Sequence, residues 1–186
     1  DSSPTLTDCT FTSNSADVSI ASGGGGMYNY YDSSPTLTGC VFEGNSATDD
    51  GGGMYNTEYS SPTLTDCRFT GNLADYGGGM RNSNSSPTLT DCTFTSNTAD
   101  LGGGMDNYSN SSPTLTDCRF TGNLADSGGG MYNTASSNPT LTNCTFTSNS
   151  ATYFGGGMYN SSTSNPTLAD TTVCGNTPDQ IDGAYT

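Results

Sequence analysis

The sequence has very few basic residues and no histidine. Its 186 residues contain three Lys and Arg against 18 Asp and Glu, which gives a net charge of -15. Binding to nucleic acid or to anionic membrane surfaces depends on clustered basic side chains, so we expect neither. No apolar run approaches the ~20 residues of a membrane-spanning helix, so we expect no membrane insertion.

Hydrophobic residues are also scarce, at 30%, where globular domains contain roughly 45–50% once glycine is counted. With this net charge, such a composition is typical of disordered chains. An internal repeat argues against disorder, because stacked repeats share one narrow core. The chain begins at Asp1 without Met or signal peptide, so we expect a processed or excised form. Its richness in Thr, Ser, Asn and Gly favours a secreted, extracellular or cell-surface location.

One sequence repeat of about 26 residues fills the chain. It restarts at seven prolines, with steps of 31, 27, 25, 26, 26 and 27 residues, and an Asn follows each Pro by ten residues. Repeats of this length are typical of solenoids. We expect one β-solenoid domain over residues 1–186, with coils starting near residues 1, 32, 59, 84, 110, 136 and 163.

The spacing inside each repeat predicts three short strands. Leu6 and Phe11 are five residues apart, so one strand with a side-chain period of two cannot point both inward. A bend at the position of Asp8 resolves this, a second corner follows at Ser13-Asn14, and a third strand runs through Gly-Gly-Met-Tyr-Asn. The predicted fold is all-β: a right-handed parallel β-helix of seven coils.

The inward columns follow from this assignment. Leu, Cys, Phe, Met and Ala each recur once per coil, and the Asn that follows each Pro is expected to form an amide ladder between coils. The Asn column comprises Asn14, Asn45, Asn72, Asn97, Asn123, Asn149 and Asn176.

Two coils depart from the pattern. The first contains about five extra residues around Val18-Ser19-Ile20, which predict a corner loop. The seventh has Thr171 at the Cys position and Cys174 at an outward position, and then a degenerate last side. We therefore expect a whole number of coils, with no polar cap at either end.

Two short motifs recur in six coils, for example as Phe69-Thr70-Gly71-Asn72 and Gly77-Gly78-Gly79-Met80. They resemble the right-handed β-helix repeats of the polymorphic outer-membrane protein type. The resemblance covers nearly the whole chain and implies an extracellular or surface protein, often adhesive or structural. The chain differs from that type in having Gly where Ala is usual, and we expect no β-barrel translocator.

Six cysteines form one inward column: Cys9, Cys40, Cys67, Cys92, Cys118 and Cys144. Buried free thiols are favoured, because zinc sites use tetrahedral sets with short local spacings. Disulfides between neighbouring coils and a metal site stay open as alternatives. Cys174 is the one candidate for a reactive thiol.

Acidic residues form two columns, in which like charges about 5 Å apart repel. Calcium would relieve this repulsion and is the one cofactor that the sequence suggests; solvated carboxylates in Asx turns are the alternative, and the Gly-Gly-x-Gly-x-Asp calcium repeat is absent. The calcium candidates are Asp8, Asp66, Asp91, Asp117 and Asp170. The second column comprises Asp17, Asp75, Asp100, Asp126 and Asp179.

Thr residues flank the inward Leu of each coil and predict a flat outward grid. Such a grid resembles the ice-binding face of insect and bacterial β-solenoid antifreeze proteins, although Thr is also a common exposed strand residue. The candidate ice or ligand face comprises Thr5, Thr7, Thr36, Thr38, Thr63, Thr65, Thr88, Thr90, Thr114, Thr116, Thr140 and Thr142.

Five Asn-x-Ser/Thr sequons are candidate glycosylation sites, and four of them are expected on bulging loops between Met and Pro. Chance occurrence in a chain of this composition is the alternative. The sites are Asn84, Asn107, Asn110, Asn143 and Asn160.

No catalytic set stands out. The chain has no His and no Lys, and its acids repeat alike in every coil, so no coil differs as an active site would require and we expect no enzyme. We expect a secreted structural protein that stacks head to tail with copies of itself into an extracellular filament. The alternatives are a surface adhesin or glycan-binding segment, and an ice-binding protein.

Overall fold

The computed structural model describes residues 2–17 and 23–186. Within these ranges the chain is all-β, and no helix in them is long and apolar enough to cross a membrane. Three parallel sheets of seven strands each run the length of the molecule, with one strand from each coil in each sheet. The predicted three-stranded parallel solenoid is therefore confirmed. The extra residues around Val18 lie outside the described ranges, so the corner loop stays a prediction.

The first sheet, here called the leucine sheet, contains the Thr-Leu-Thr words. Each strand is three residues long because Pro precedes it and a turn former follows it. Its strands are Thr5–Thr7, Thr36–Thr38, Thr63–Thr65, Thr88–Thr90, Thr114–Thr116, Thr140–Thr142 and Thr167–Ala169.

The phenylalanine sheet contains the words that follow the first bend. Its strands are Thr10–Thr12, Val41–Glu43, Arg68–Thr70, Thr93–Thr95, Arg119–Thr121, Thr145–Thr147 and Thr172–Cys174. Cys174 is aligned with the outward Thr147 and is exposed, as predicted.

The methionine sheet forms the third side. Its strands are Met27–Tyr30, Met54–Thr57, Met80–Ser83, Met105–Tyr108, Met131–Asn133, Met158–Asn160 and Ile181–Asp182. Two further sheets of only two strands each lie at the Ala corner. They pair Ser15–Ala16 with Ser46–Ala47 and Leu124–Ser127 with Ser150–Phe154. The second pair has a register shift between Ala125 and Ser127.

The bends lie where the sequence predicts them. The residue before the Cys position has a positive φ in every coil, for example +51° at Asp8 and +63° at Gly39. The residue before the ladder Asn does the same, with +54° at Ser13 and +61° at Gly44. Asp, Asn and Gly tolerate this left-handed conformation better than other residues, which explains their recurrence at these corners.

The core is a stack of identical side chains. Leu, Cys, Phe and Met of coils two to six are at most 2% exposed, and the corresponding residues of the first and last coils are partly buried against them. Neighbouring Phe rings are parallel within 4°, with centroids 4.4–4.7 Å apart. This narrow core explains how so few hydrophobic residues support a fold.

Two amide ladders, not one, run along the axis. The predicted ladder is confirmed: the Asn72 side-chain amide donates to Asn97 Oδ1 at 2.9 Å and to the Phe42 carbonyl at 3.0 Å. Gln180 accepts from the last member, Asn176, at 3.0 Å. A second ladder of equal regularity was not predicted and comprises Asn29, Asn56, Asn82, Asn107, Asn133 and Asn160.

Candidate functional site

The outward column of the methionine sheet breaks the repeat in the middle of the molecule. The residue after each Met points outward, because side chains alternate along a strand. Tyr occupies this position in four coils, with Tyr28 stacked on Tyr55 at 5.3 Å and Tyr132 on Tyr159 at 4.8 Å between ring centroids. Between the two Tyr pairs, the third and fourth coils place Arg81 and Asp106 side by side.

Arg81 is held by two carboxylates. Its Nε lies 3.2 Å from Asp106 Oδ2, and its Nη1 pairs with Asp50. The Arg81 side chain is 15% exposed, and the side chains of Asp106 and Asp50 are 3% and 8% exposed. The register of the methionine sheet places Asp106 beside Arg81. At the Ala corner a single β-bridge places Asp50 beside Tyr76, whose ring contacts the same guanidinium.

Three tyrosine rings surround the same guanidinium. The Arg81 Cζ atom lies 4.4 Å from the ring centroid of Tyr76, and 5.8 Å from those of Tyr55 and Tyr108. Cation–π contacts of this kind are worth about 0.5–2 kcal/mol each. Together with the two ion pairs, they fix the guanidinium in place.

A cleft of about 340 Å³ opens above this ion pair. We call it the Arg81 cleft. This volume lies within the range of about 300–1,000 Å³ that is usual for small-ligand sites. Its walls combine exposed ring edges with buried charge, and they come from three consecutive coils. The lining residues are Tyr76, Arg81, Leu101, Asp106, Tyr108, Tyr132 and Thr134.

Burial sets the protonation of the cleft. It raises the pKa of the Asp106 carboxyl to about 7, although the Arg81 charge opposes this shift. Burial also lowers the pKa of Arg81, against the attraction of Asp106, and raises the pKa of Tyr132 with help from Tyr159. Asp106 therefore exchanges a proton near neutral pH while Arg81 stays charged.

A larger hollow of about 580 Å³ lies at the last coil, beside Leu168, Val173 and Ile181. These residues end the core columns. The hollow is also lined by Asp170 and Asp179, but it contains no arginine and no ion pair like that of the Arg81 cleft.

The calcium candidates lie at the first bend, one per coil. Asp8, Asp66, Asp91 and Asp170 are exposed and Asp117 is half-buried, with positive φ values of 49–56°. The Asn143 side-chain amide donates to the Asp117 carboxylate, which is one local relief of the repulsion. No group of three or more His, Cys, Asp or Glu in the described part of the chain has the arrangement of a metal site. Calcium binding stays a prediction.

The second acidic column shows the expected mutual repulsion. The pKa of Asp75 is raised, first by burial and then by the charges of Asp100 and Asp49. The backbone N–H of Asp100 donates to the Asp75 carbonyl at 2.9 Å, and that of Asp126 to the Asp100 carbonyl at 2.9 Å. The chain thus stacks these carboxylates through its backbone.

The expectation that the sequons bulge outward is wrong for two of them. Asn107 and Asn160 are members of the second amide ladder and are 0% and 3% exposed. An attached sugar would disrupt the ladder. Asn84 is half-buried, and Asn110 and Asn143 are exposed, so these three present their side chains in the folded chain.

The six column cysteines are free thiols in the structure, five of them buried and Cys9 half-buried, and Cys174 is free and exposed. Thiols of the column donate to backbone carbonyls, as Cys92 does to Thr90 at 3.3 Å. Burial raises the pKa of the Cys40 thiol, which favours its protonated form.

Sequence reasoning missed the Arg81 cleft. The expectation that the acids repeat alike in every coil is wrong, since coils three and four read Met80-Arg81-Asn82 and Met105-Asp106-Asn107 where coils one, two, five and six read Met-Tyr-Asn. Two opposite charges in adjacent copies of one word were the available signal. Asp50 and Tyr76 could not be added from sequence, because their proximity depends on the geometry of the Ala corner.

The model of the right-handed beta helix region family matches residues 1–125 of the chain. The search of curated proteins found no match.

Proposed function

The chain belongs to the right-handed beta helix family, whose model describes a fold, and we propose that it works as a glycan-binding module whose ligand occupies the Arg81 cleft. The observation that carries this proposal is the ring of Tyr76, Tyr108 and Tyr132 around a fixed Arg81–Asp106 pair at the mouth of a 340 Å³ cleft. We propose binding without turnover.

The side chains match the two surfaces of a sugar. A pyranose has an apolar face that stacks on aromatic rings and a rim of hydroxyls that donate and accept hydrogen bonds. Tyr76 and Tyr108 are 37% and 44% exposed and offer ring surface, while Asp106 and Arg81 offer an acceptor and donors. Because the guanidinium is already held by two carboxylates and three rings, little order is lost on binding.

The charge of the cleft favours neutral glycans. One arginine faces Asp50 and Asp106, so the cleft has no positive charge in excess, and the chain has a net charge of -15. A uronic acid or a sulfated sugar would meet this field with the same sign. We therefore propose neutral hexose oligosaccharides as the ligand class.

A module of this kind fits a secreted or cell-surface protein, which is the location that the composition and the resemblance to polymorphic outer-membrane protein repeats favour. An adhesin presents such clefts to glycans on other cells. Glycosylation at Asn84, Asn110 or Asn143 stays a prediction within this proposal.

The head-to-tail filament stays a prediction. It depends on the two ends of the chain, whereas the Arg81 cleft lies on a lateral side in the middle coils. Negative-stain electron microscopy with and without a calcium chelator tests the filament and the calcium candidates together. Filaments of uniform width that disappear with the chelator would support both.

The test of the proposed function is binding to an array of immobilised neutral oligosaccharides of glucose, galactose and mannose, with oligogalacturonate as the acidic comparator. The wild-type chain should bind at least one neutral glycan and ignore the acidic one. Tyr76→Ala should weaken binding by about tenfold, which corresponds to 1.4 kcal/mol. Tyr59→Ala is the control, because Tyr59 is 67% exposed and lies outside the cleft. Absence of neutral-glycan binding, or equal loss in both variants, would contradict the proposal.

A further inference from the structure

The outward face of the leucine sheet is a regular grid of threonines. Each rung pairs in register with the next, for example Thr63 with Thr88 and Thr65 with Thr90, and no register shift interrupts the seven strands. Thirteen of the fourteen outward positions are Thr, and the last is Ala169. We call this surface the threonine face; it includes the twelve Thr that the sequence analysis singled out, together with Thr167.

Twelve hydroxyls of the threonine face are free to bond outside the protein, whereas that of Thr167 contacts the Thr186 hydroxyl at 3.4 Å. Among those twelve Thr, all are exposed except the half-buried Thr90 and Thr116. None of the twelve side-chain hydroxyls has a hydrogen-bond partner within the described part of the chain, whereas Thr121 and Thr147 of the phenylalanine sheet contact each other at 3.5 Å. β-Branched side chains are also stiff at χ1, so the grid is ordered before it meets a ligand.

The face is uncharged in a strongly acidic molecule. No outward position in its two columns is occupied by Asp, Glu or Arg, although the net charge of the chain is -15. The neighbouring phenylalanine sheet places Glu43, Arg68 and Arg119 on its outward side. A charged partner would find no complement on the threonine face, so its occupant should be neutral, extended and periodic.

The two repeats of the grid match those of crystalline water. Across the rungs the repeat is one coil, measured by the 4.4–4.7 Å between stacked Phe rings, and along each strand it is about 6.7 Å. The shorter repeat agrees within a few tenths of an ångström with the oxygen repeat along one axis of hexagonal ice, and the longer agrees within an ångström with a second. Thr methyls would sit between lattice waters while the hydroxyls join the lattice.

We propose that the threonine face binds ice. The waters held on its hydroxyls join the advancing lattice and anchor the molecule along its length. The inference is independent of the Arg81 cleft, because that cleft lies on the methionine sheet, and either one can stand without the other.

The test measures thermal hysteresis, and capture of the purified full chain into a slowly growing ice hemisphere. The wild type should show both. Thr88→Tyr, at the middle rung, should abolish them because one bulky ring lifts the face off the lattice. Thr95→Tyr is the matched control in the same coil, since Thr95 faces outward from the phenylalanine sheet. Far-ultraviolet circular dichroism and thermal melts establish that both variants fold.

Four outcomes decide the inference. Activity in the wild type and in Thr95→Tyr, with loss in Thr88→Tyr, supports it. Absence of hysteresis and ice capture in the wild type overturns it. Unchanged activity in folded Thr88→Tyr also overturns it, as does equal loss in both folded variants, because the ice would then contact another surface. If Thr88→Tyr does not fold, Thr63→Ser, which removes only a methyl group, should reduce hysteresis at least twofold, and an unchanged value would overturn the inference.

Discussion

Arg81 is the arginine that the fold buries, while Arg68 and Arg119 are exposed. Its position between Asp50 and Asp106 means that each charge depends on the others, since an unpaired buried charge is costly. This dependence places the chemistry of the cleft at the scale of single residues, and two predictions follow there.

Replacement of Arg81 by Met should destabilise the chain by about 3–5 kcal/mol, because it leaves two buried carboxylates without a partner. Urea unfolding at pH 8 measures the loss. Arg68→Met is the matched control, since Arg68 is exposed in the same coil and surface changes usually stay within about 0.5 kcal/mol. Similar stability of the two variants would show that the Arg81 contacts contribute little.

Asp106→Asn should gain stability over the wild type as the pH rises. Burial raises the pKa of Asp106 from 3.8 to about 7, so the fold favours the protonated form. That contribution is complete below about pH 4 and is lost as the pH rises through 7. At 1.36 kcal/mol per pKa unit, the stability of the variant relative to the wild type should rise by up to about 4 kcal/mol between pH 4 and pH 8.

Unfolding free energies of Asp106→Asn and wild type at pH 4, 6 and 8 test this. The difference should be small at pH 4 and grow at each step. Asp91→Asn, at an exposed bend, is the control variant. A constant difference between Asp106→Asn and wild type at all three pH values would contradict the buried, proton-exchanging carboxyl.

At the scale of elements, the sequence predicted the strands and their bends but missed the second amide ladder and the Arg81 cleft. The odd spacing of Leu6 and Phe11 required a bend at Asp8, and the structure has it there. The second Asn ladder was missed because the sequence analysis assigns only the Met of the third strand to the core. Each ladder Asn follows that Met by two residues, and side chains two apart share a face of the strand. The Arg81 cleft was missed because Asp50 and Tyr76 reach it through a corner, and corner geometry is not encoded in a side-chain period.

The Gly-Gly-Met segment predicts how closely neighbouring coils pack at this corner. A Cβ added at Gly78 would lie 2.7 Å from the carbonyl oxygen of Gly103 and would clash with the Thr98 carbonyl oxygen. Both obstacles are backbone atoms of the next coil, so the coils would have to separate. Gly78→Ala should lower stability by about 1–3 kcal/mol.

Gly23→Ala is the control for this effect, because a Cβ there meets no atom of residues 2–17 or 23–186 within 4 Å. Thermal melts of the two variants make the comparison. A Gly78→Ala protein that melts with the wild type would show that the coils are not in close backbone contact at this corner.

At the scale of the whole molecule, the solenoid is a sum of coils that contact mainly their neighbours. Removal of residues 139–165 excises one coil of 27 residues and joins Asn138 to Pro166, which restores the Ser-Asn-Pro word of the lost junction. The Arg81 cleft keeps all its lining residues in this deletion.

The shortened chain should therefore fold, show cooperative melting and retain glycan binding. Removal of residues 139–151, half a coil, should disorder the last coil because the Leu and Phe columns lose their register. Circular dichroism and the same glycan array distinguish the two deletions. A collapse of the structure in the full-coil deletion would contradict the additive description of the solenoid.

Isothermal titration calorimetry tests most directly whether neutral glycans bind in the Arg81 cleft. The titrant is the neutral oligosaccharide that binds best on the array, and the proteins are wild type, Tyr76→Ala and Tyr59→Ala. We predict one site per chain in the wild type, the same affinity in Tyr59→Ala and about tenfold weaker binding in Tyr76→Ala. Equal affinity in Tyr76→Ala and wild type, or no heat of binding in the wild type, would contradict the claim.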